Sequence, residues 1–270
     1  MRERIKSMLR GHPRLFSAAR TFARAVASAS RAWRGLGRAL ARVAAVIGHP
    51  WFVRDALRYR SMGGELTVRD INPQVLDKTS ETPFDPHYFH QAVWAARLIS
   101  TSGTRQHHDV GSSVSFVGML TAFTNVHFID LRPLPVEVDG LTSVNGTILG
   151  LPFGDASISS LSCLHVLEHI GLGRYGDPLD PHGSIKAAAE LQRVVAPSGD
   201  LYVSVPVGVR RTQFNAHRIF APDDVPNLFS ELTLVGFAIA DDAGQFHGHA
   251  EPGDWRGQRY ACGMYHFRRD

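Results

Sequence analysis

The chain has 270 residues, 44% of them hydrophobic and 20% charged. That composition argues against a disordered chain and suits one α/β domain with an added segment, or two small domains. The net charge of +4 is uneven: residues 1–60 carry +12 and the remaining 210 carry −8, so the mildly acidic body is not expected to wrap nucleic acid. Two distant cysteines, Cys163 and Cys262, form no CxxC pair, which argues against a disulfide scaffold or zinc knuckle and fits reduced thiols in the cytoplasm.

Residues 1–48 read as a basic amphipathic helical extension. Leu9, Phe16, Ala19, Phe22, Val26, Trp33, Leu36, Leu40, Val43 and Ile47 recur in helical steps among the arginines, and Gly35 and Gly37 interrupt the pattern. No apolar run reaches the ~18 residues of a membrane span, and the arginines are too evenly spread for a secretory signal. Three readings stand: an extension packed on the body, an arm peripheral to an anionic membrane surface, or a partner-binding or targeting arm. Residues 49–84, with Gly63-Gly64, Pro73 and Pro83, read as a linker or helical cap holding a short strand or helix.

A helix is predicted over 85–100, ended by Gly103. The pattern then alternates. Strands fall at 107–111, 125–130, 160–165, 200–205, 232–240 and 260–267, and helices at 113–122, 184–195 and 222–228. Strands alternating with helices predict a Rossmann-like doubly wound, mainly parallel sheet over 85–270 with helices on both faces, the late strand 260–267 running antiparallel.

Three constellations stand at strand ends. Asp109-Val110-Gly111-Ser112-Ser113 follows one strand and opens a helix, where a glycine permits a tight turn and free N–H groups face a ligand. Asp130, followed by Leu131, ends the next strand 19 residues after Gly111, the spacing at which an acid accepts ribose hydroxyls. Leu151-Pro152-Phe153-Gly154-Asp155 leads into Leu164-His165-Val166-Leu167-Glu168-His169, then Glu190-Leu191-Gln192-Arg193 and Leu201-Tyr202-Val203-Ser204-Val205-Pro206.

This order resembles the class I S-adenosylmethionine-dependent methyltransferases, type 11-like, over about 160 residues. Within them, DVGSSVSFVG at 109–118, FIDLRPL at 128–134, HIGLGRYGDPLDPHGS at 169–184 and FNAHRIFAP at 214–222 resemble the domain of unknown function 268. The resemblance implies an S-adenosylmethionine site made of Asp109, Gly111, Ser113, Asp130, Leu131, Thr147, Leu151, Pro152, Phe153 and His165. It also implies two departures. Ser113 and Ser115 replace glycines of the D-x-G-x-G-x-G loop, so side chains stand where bare backbone nears the cofactor. Thr147 replaces the acid that bonds the adenine amine and offers a neutral acceptor.

His165, Glu168, His169 and His217 are the candidate catalytic residues at the mouth of that site, where a His or Glu deprotonates an acceptor hydroxyl. Residues 171–183, with two Asp-Pro steps, read as a substrate lid. His165-x-x-Glu168-His169 also matches a zinc-hydrolase motif. A strand end at His165 removes the helical spacing that motif needs, so no metal is expected. The reading is methyl transfer from S-adenosylmethionine to a small-molecule or glycan acceptor, in the cytoplasm or peripheral to the inner face of the membrane. Without an N/D-P-P-Y/F tetrad, no nucleic-acid substrate is expected. The alternative is a methyltransferase-like binding scaffold without turnover.

Overall fold

The structure is a computed structural model that describes residues 49–270; the extension expected over 1–48 lies outside the described residues. The chain divides into two compact units, residues 1–83 and 84–270. In the first, helix α1 (Pro50–Ser61) begins on a proline and carries Arg58 and Arg60 in its last turn. A missing N–H is harmless at the first helical position, and cations suit the negative end. One 3₁₀ turn (Val68–Asp70) follows. Its Asp70 carboxylate accepts from the Thr67 N–H at 2.9 Å and the Thr67 hydroxyl at 2.7 Å.

The second unit opens with helix α2 (Pro86–Ser102), whose cap Asp85 accepts from the N–H groups of His87 and Tyr88. Gly103, at φ 67°, ends it in a left-handed turn. Then come β1 (Gln106–Val110), α3 (Val114–Leu120), β2 (Asn125–Asp130), β3 (Leu141–Asn145), β4 (Ile158–Leu164), α4 (Gly183–Val194), β5 (Val195–Val207), the short pair β6 (Arg211–Gln213) and β7 (His217–Ile219), α5 (Val225–Leu228), β8 (Thr233–Ala240), β9 (Phe246–His247) and β10 (Ala261–Arg268).

Eight strands form one sheet in the order β3-β2-β1-β4-β5-β10-β8-β9. Strands β1 to β5 pair in parallel, and β10 enters antiparallel between β5 and β8. The doubly wound, mainly parallel sheet with a late antiparallel strand is thus the fold predicted from the alternation. Successive residues of β5 supply opposite faces, as a strand's period of two requires. Leu201, Val203 and Val205 join the core under α4 and α5, while Tyr202 joins the core with α2 and α3.

Five elements differ from the sequence reading. The helix expected over 222–228 is a single turn, because Pro226 lacks the N–H that a helix begun at 222 would need there. Strand β5 runs from 195 rather than 200, its first residues passing directly out of α4. Strand β3 and the β6–β7 pair were not expected. Leu141–Asn145 has no fully buried residue, so its side chains carry no alternating apolar signal.

Candidate functional site

The parallel strands turn at their carboxyl ends, and the first two turns converge. At the end of β1, Gly111 adopts φ 69°, a left-handed conformation that favours glycine. A Cβ there would stand 3.3 Å from the Val166 methyls and 3.9 Å from Asp130 Oδ2, so the bare backbone lies against the acid that ends β2. Asp130 Oδ1 accepts from the Arg132 N–H at 2.7 Å, which fixes the carboxylate. Around them opens a cleft of about 280 Å³. Its walls include Gly146 and Thr147 after β3, His165 and Val166 after β4, and Tyr175 to Pro178 of the following loop.

Of the residues expected to bind cofactor, Gly111, Asp130, Leu131, Thr147 and His165 line this cleft. Asp109, Ser113, Leu151, Pro152 and Phe153 do not, and each has another place. Asp109 is fully buried beneath the turn. Its carboxylate accepts from the Ser112 N–H at 3.0 Å and from the Ser162 hydroxyl, and so ties the β1 turn to β4. Burial, only partly offset by those hydrogen bonds, pushes its pKa up to about 6. Ser113 caps α3, accepting from the Phe116 N–H, and Ser115 is exposed; neither side chain reaches the cleft wall. Leu151 is in the core, Pro152 is exposed, and Phe153 packs edge-on against His108, centroids 5.0 Å apart.

The 151–155 segment is held from α4. Glu190 accepts from the Leu151 N–H at 2.6 Å, and Arg193 donates to the Phe153 carbonyl at 3.0 Å and to Asp155 at 2.6 Å. Two of the sequence motifs therefore close on each other rather than on a ligand.

The four candidate catalytic residues form one cluster, of which His165 and His169 line the cleft and Glu168 and His217 do not. His165 leaves β4 at φ 55°, a strained conformation for a residue with a Cβ. His165 Nδ1 lies 2.9 Å from Glu168 Oε1, and His169 Nε2 lies 3.6 Å from the same oxygen. Both histidines of the zinc-hydrolase motif thus face the Glu168 carboxylate within a 3₁₀ turn (Leu167–His169) and do not converge on a common ion. Burial pulls the His165 pKa down, but the facing Cys262 thiol and Glu168 carboxylate outweigh it and hold it well above the ordinary value. Burial lowers His169, against the pull of Glu168. With Nδ1 2.6 Å from the Ala216 carbonyl, that nitrogen must carry the proton, which leaves Nε2 of neutral His169 as the basic atom. Glu168 Oε2 and His217 Nε2 are buried without a hydrogen-bond partner.

The loop expected as a lid borders the cleft and is tied down at both ends. Asp177 accepts from the N–H groups of Gly171, Gly173 and Tyr175. Arg218 donates to the carbonyls of Ile170 at 2.6 Å and of Asp180 and Pro181 at 3.3 Å, and to the Ser184 hydroxyl at 3.0 Å. Sequence reasoning missed Arg132 and Tyr175, which close one side of the cleft with the guanidinium 5.0 Å from the ring centroid. Both belong to the quoted 128–134 and 169–184 stretches, but only the fold brings them together.

Residues 149–247 match a family described as a Caenorhabditis protein of unknown function, DUF268. No curated protein matches the sequence. Among solved structures, the chain is similar to a protein from Galdieria sulphuraria, provisionally assigned as a sarcosine dimethylglycine methyltransferase. Identity is 14% and the TM-score 0.51, over 80% of this chain and 98% of that one. It is also similar to the N-methyltransferase NodS from Bradyrhizobium japonicum WM9 in complex with S-adenosylhomocysteine, at 16% identity and TM-score 0.49, over 73% and 91% of the two chains. A third is the 1,6-didemethyltoxoflavin-N1-methyltransferase from Burkholderia thailandensis, at 13% identity and TM-score 0.43, over 71% and 94%. The strand order and the likeness to the Galdieria protein agree: the chain has the fold of the class I S-adenosylmethionine-dependent methyltransferases and, over residues 149–247, the signature of DUF268.

Proposed function

We propose that the protein binds S-adenosylmethionine in this cleft and transfers its methyl group to a small-molecule acceptor. The observation that carries the reading is Asp130 at the end of β2, beside the bare backbone of Gly111 at the end of β1. Ligands of open α/β sheets bind at carboxyl strand ends, and an acid there accepts both ribose hydroxyls. Thr147, Ile148 and Leu149 then border the adenine, and His165 and His169 the methionine end.

In the reaction the acceptor's lone pair forms a bond to the methyl carbon as the carbon–sulfur bond breaks. S-adenosylhomocysteine leaves neutral, and a protonated acceptor gives up its proton. The chain must align the two partners and exclude water. His169 Nε2 takes the proton; replacing a general base costs about 10²–10⁴-fold in rate. A saccharide acceptor belongs to the same proposal.

Equilibrium binding of S-adenosylhomocysteine tests the reading. Saturable binding is expected, weakened in Asp130→Ala by about 1–3 kcal/mol, the cost of unpaired hydroxyl partners. Absence of binding at millimolar ligand overturns it and favours the scaffold without turnover, which the neutral Thr147 in the cleft would suit. If turnover is seen, His169→Gln should lower kcat by about 10²–10⁴-fold, far more than it weakens S-adenosylhomocysteine binding.

The sequence of residues 1–48 supports reversible attachment to an anionic membrane surface, at about 1 kcal/mol per Lys or Arg near it. Among the described residues no helix is long and apolar enough to cross a membrane. Co-sedimentation with anionic vesicles at low salt should need residues 1–48. Equal, poor sedimentation with and without them would make the segment structural.

A further inference from the structure

Beside the cleft a second set of side chains converges. Among the described residues, His87, His165 and Cys262 form a group whose three ligand atoms all lie within 4.8 Å of one another. They come from separate elements: the first turn of α2, the turn after β4, and β10. His165 Nε2 lies 3.4 Å from Cys262 Sγ. On a tetrahedral ion bonded at about 2.3 Å to sulfur and 2.0–2.1 Å to nitrogen, those atoms stand about 3.5 Å apart. The remaining separation closes with a small turn of the partly exposed His87 ring.

The surroundings fit as well. His165 Nδ1 lies 2.9 Å from Glu168 Oε1, the carboxylate–histidine arrangement that fixes the tautomer and direction of a ligating imidazole. The Tyr88 ring stacks on His165 and the Tyr260 ring on His87, at 5.4 and 5.1 Å, which restricts both imidazoles.

We propose that His87, His165 and Cys262 bind a divalent transition metal of the zinc class. Two imidazoles and a thiolate suit zinc, whereas magnesium and calcium require oxygen ligands. Cys262 Sγ and His165 Nε2 each release a proton to solvent as the ion binds. Cysteine, histidine and carboxylate in this order are also the parts of a thiol nucleophile and its base. Cys262 is 0% exposed, so no carbonyl substrate reaches the sulfur, whereas a cation needs only the space between it and the partly exposed His87.

Three protein ligands leave a fourth position open, as in catalytic rather than structural zinc sites. His165 borders the cofactor cleft as well. A water or hydroxide on the open position is lowered in pKa. The metal site does not rest on the methyl-transfer reading.

The test is a titration of the untagged, chelator-stripped full chain with cobalt(II), followed by absorbance and by displacement with zinc(II). Saturation at one ion per chain is expected, with a thiolate-to-cobalt charge-transfer band and the intense visible bands of a tetrahedral ion. Cys262→Ser should abolish the charge-transfer band. His87→Gln, at a partly exposed position outside the sheet, should keep it while weakening binding by about tenfold or more, and serves if Cys262→Ser fails to fold. No saturable binding, a spectrum without the thiolate band, or an unchanged band in Cys262→Ser overturns the proposal. S-adenosylhomocysteine binding by the same stripped sample keeps the two readings apart. A chain that binds it but not cobalt loses only the metal site, and the reverse loses only the methyl-transfer reading.

Discussion

At the scale of single residues, the β1 turn is the most constrained part of the cleft. Gly111→Ala puts a Cβ into a left-handed conformation, at about 1–2 kcal/mol, and within 3.3 Å of the Val166 methyls. Urea denaturation should show at least that loss. Asp109 beneath it makes a pH-dependent contribution of unusual sign. Its pKa is about 6 in the folded chain against 3.8 for the free side chain, so between those values the folded state holds a proton that the unfolded state has released. Its contribution is therefore greatest below about pH 4 and declines by about 3 kcal/mol as pH rises to about 6. In Asp109→Asn that decline is absent, so the gap in unfolding free energy between variant and wild type should drift in the variant's favour over this range. A gap that stays constant would refute the buried, protonated Asp109. The acids at 109 and 130 were both visible in the sequence as strand-end residues. Their different fates were not, because Asp109 is claimed by Ser162, a residue 53 positions away. The distance between His87 and Cys262 in the sequence hid their meeting in the same way.

At the scale of elements, legibility followed burial. Strand β2 was predicted over the residues it occupies, since Val126, Phe128 and Ile129 are buried. The partly exposed β3 and β6 were missed, because exposed edges carry no apolar period. The lid loop was read from its length and prolines, but its anchor lies outside it in the sequence and was not. Arg218 feeds four carbonyls and a hydroxyl across the loop's two ends. Arg218→Ala strands those acceptors, and a loss of about 2–3 kcal/mol in chemical denaturation is expected, together with faster proteolytic cleavage between residues 171 and 182. Arg218→Lys should recover little of it, because an ammonium lacks the planar fork that spans several acceptors. Full stability in Arg218→Ala would show the loop to be anchored elsewhere.

For the whole molecule, residues 84–270 form a compact unit with both cores of the parallel sheet. Produced alone, this fragment should unfold in a single cooperative transition; a broad, non-cooperative melt would show that it needs residues 1–83. The strand order also bears on how the chain acquires its structure during synthesis. Strand β8 joins the parallel strands only through β10, which follows it by some twenty positions. As the chain leaves the ribosome, β5 therefore keeps an open, apolar edge, and β8 and β9 can form only a detached hairpin. Both wait until residues 261–268 emerge and slide between them. This interval, when unpaired backbone on both sides invites pairing with other chains, is when the nascent protein most needs a chaperone.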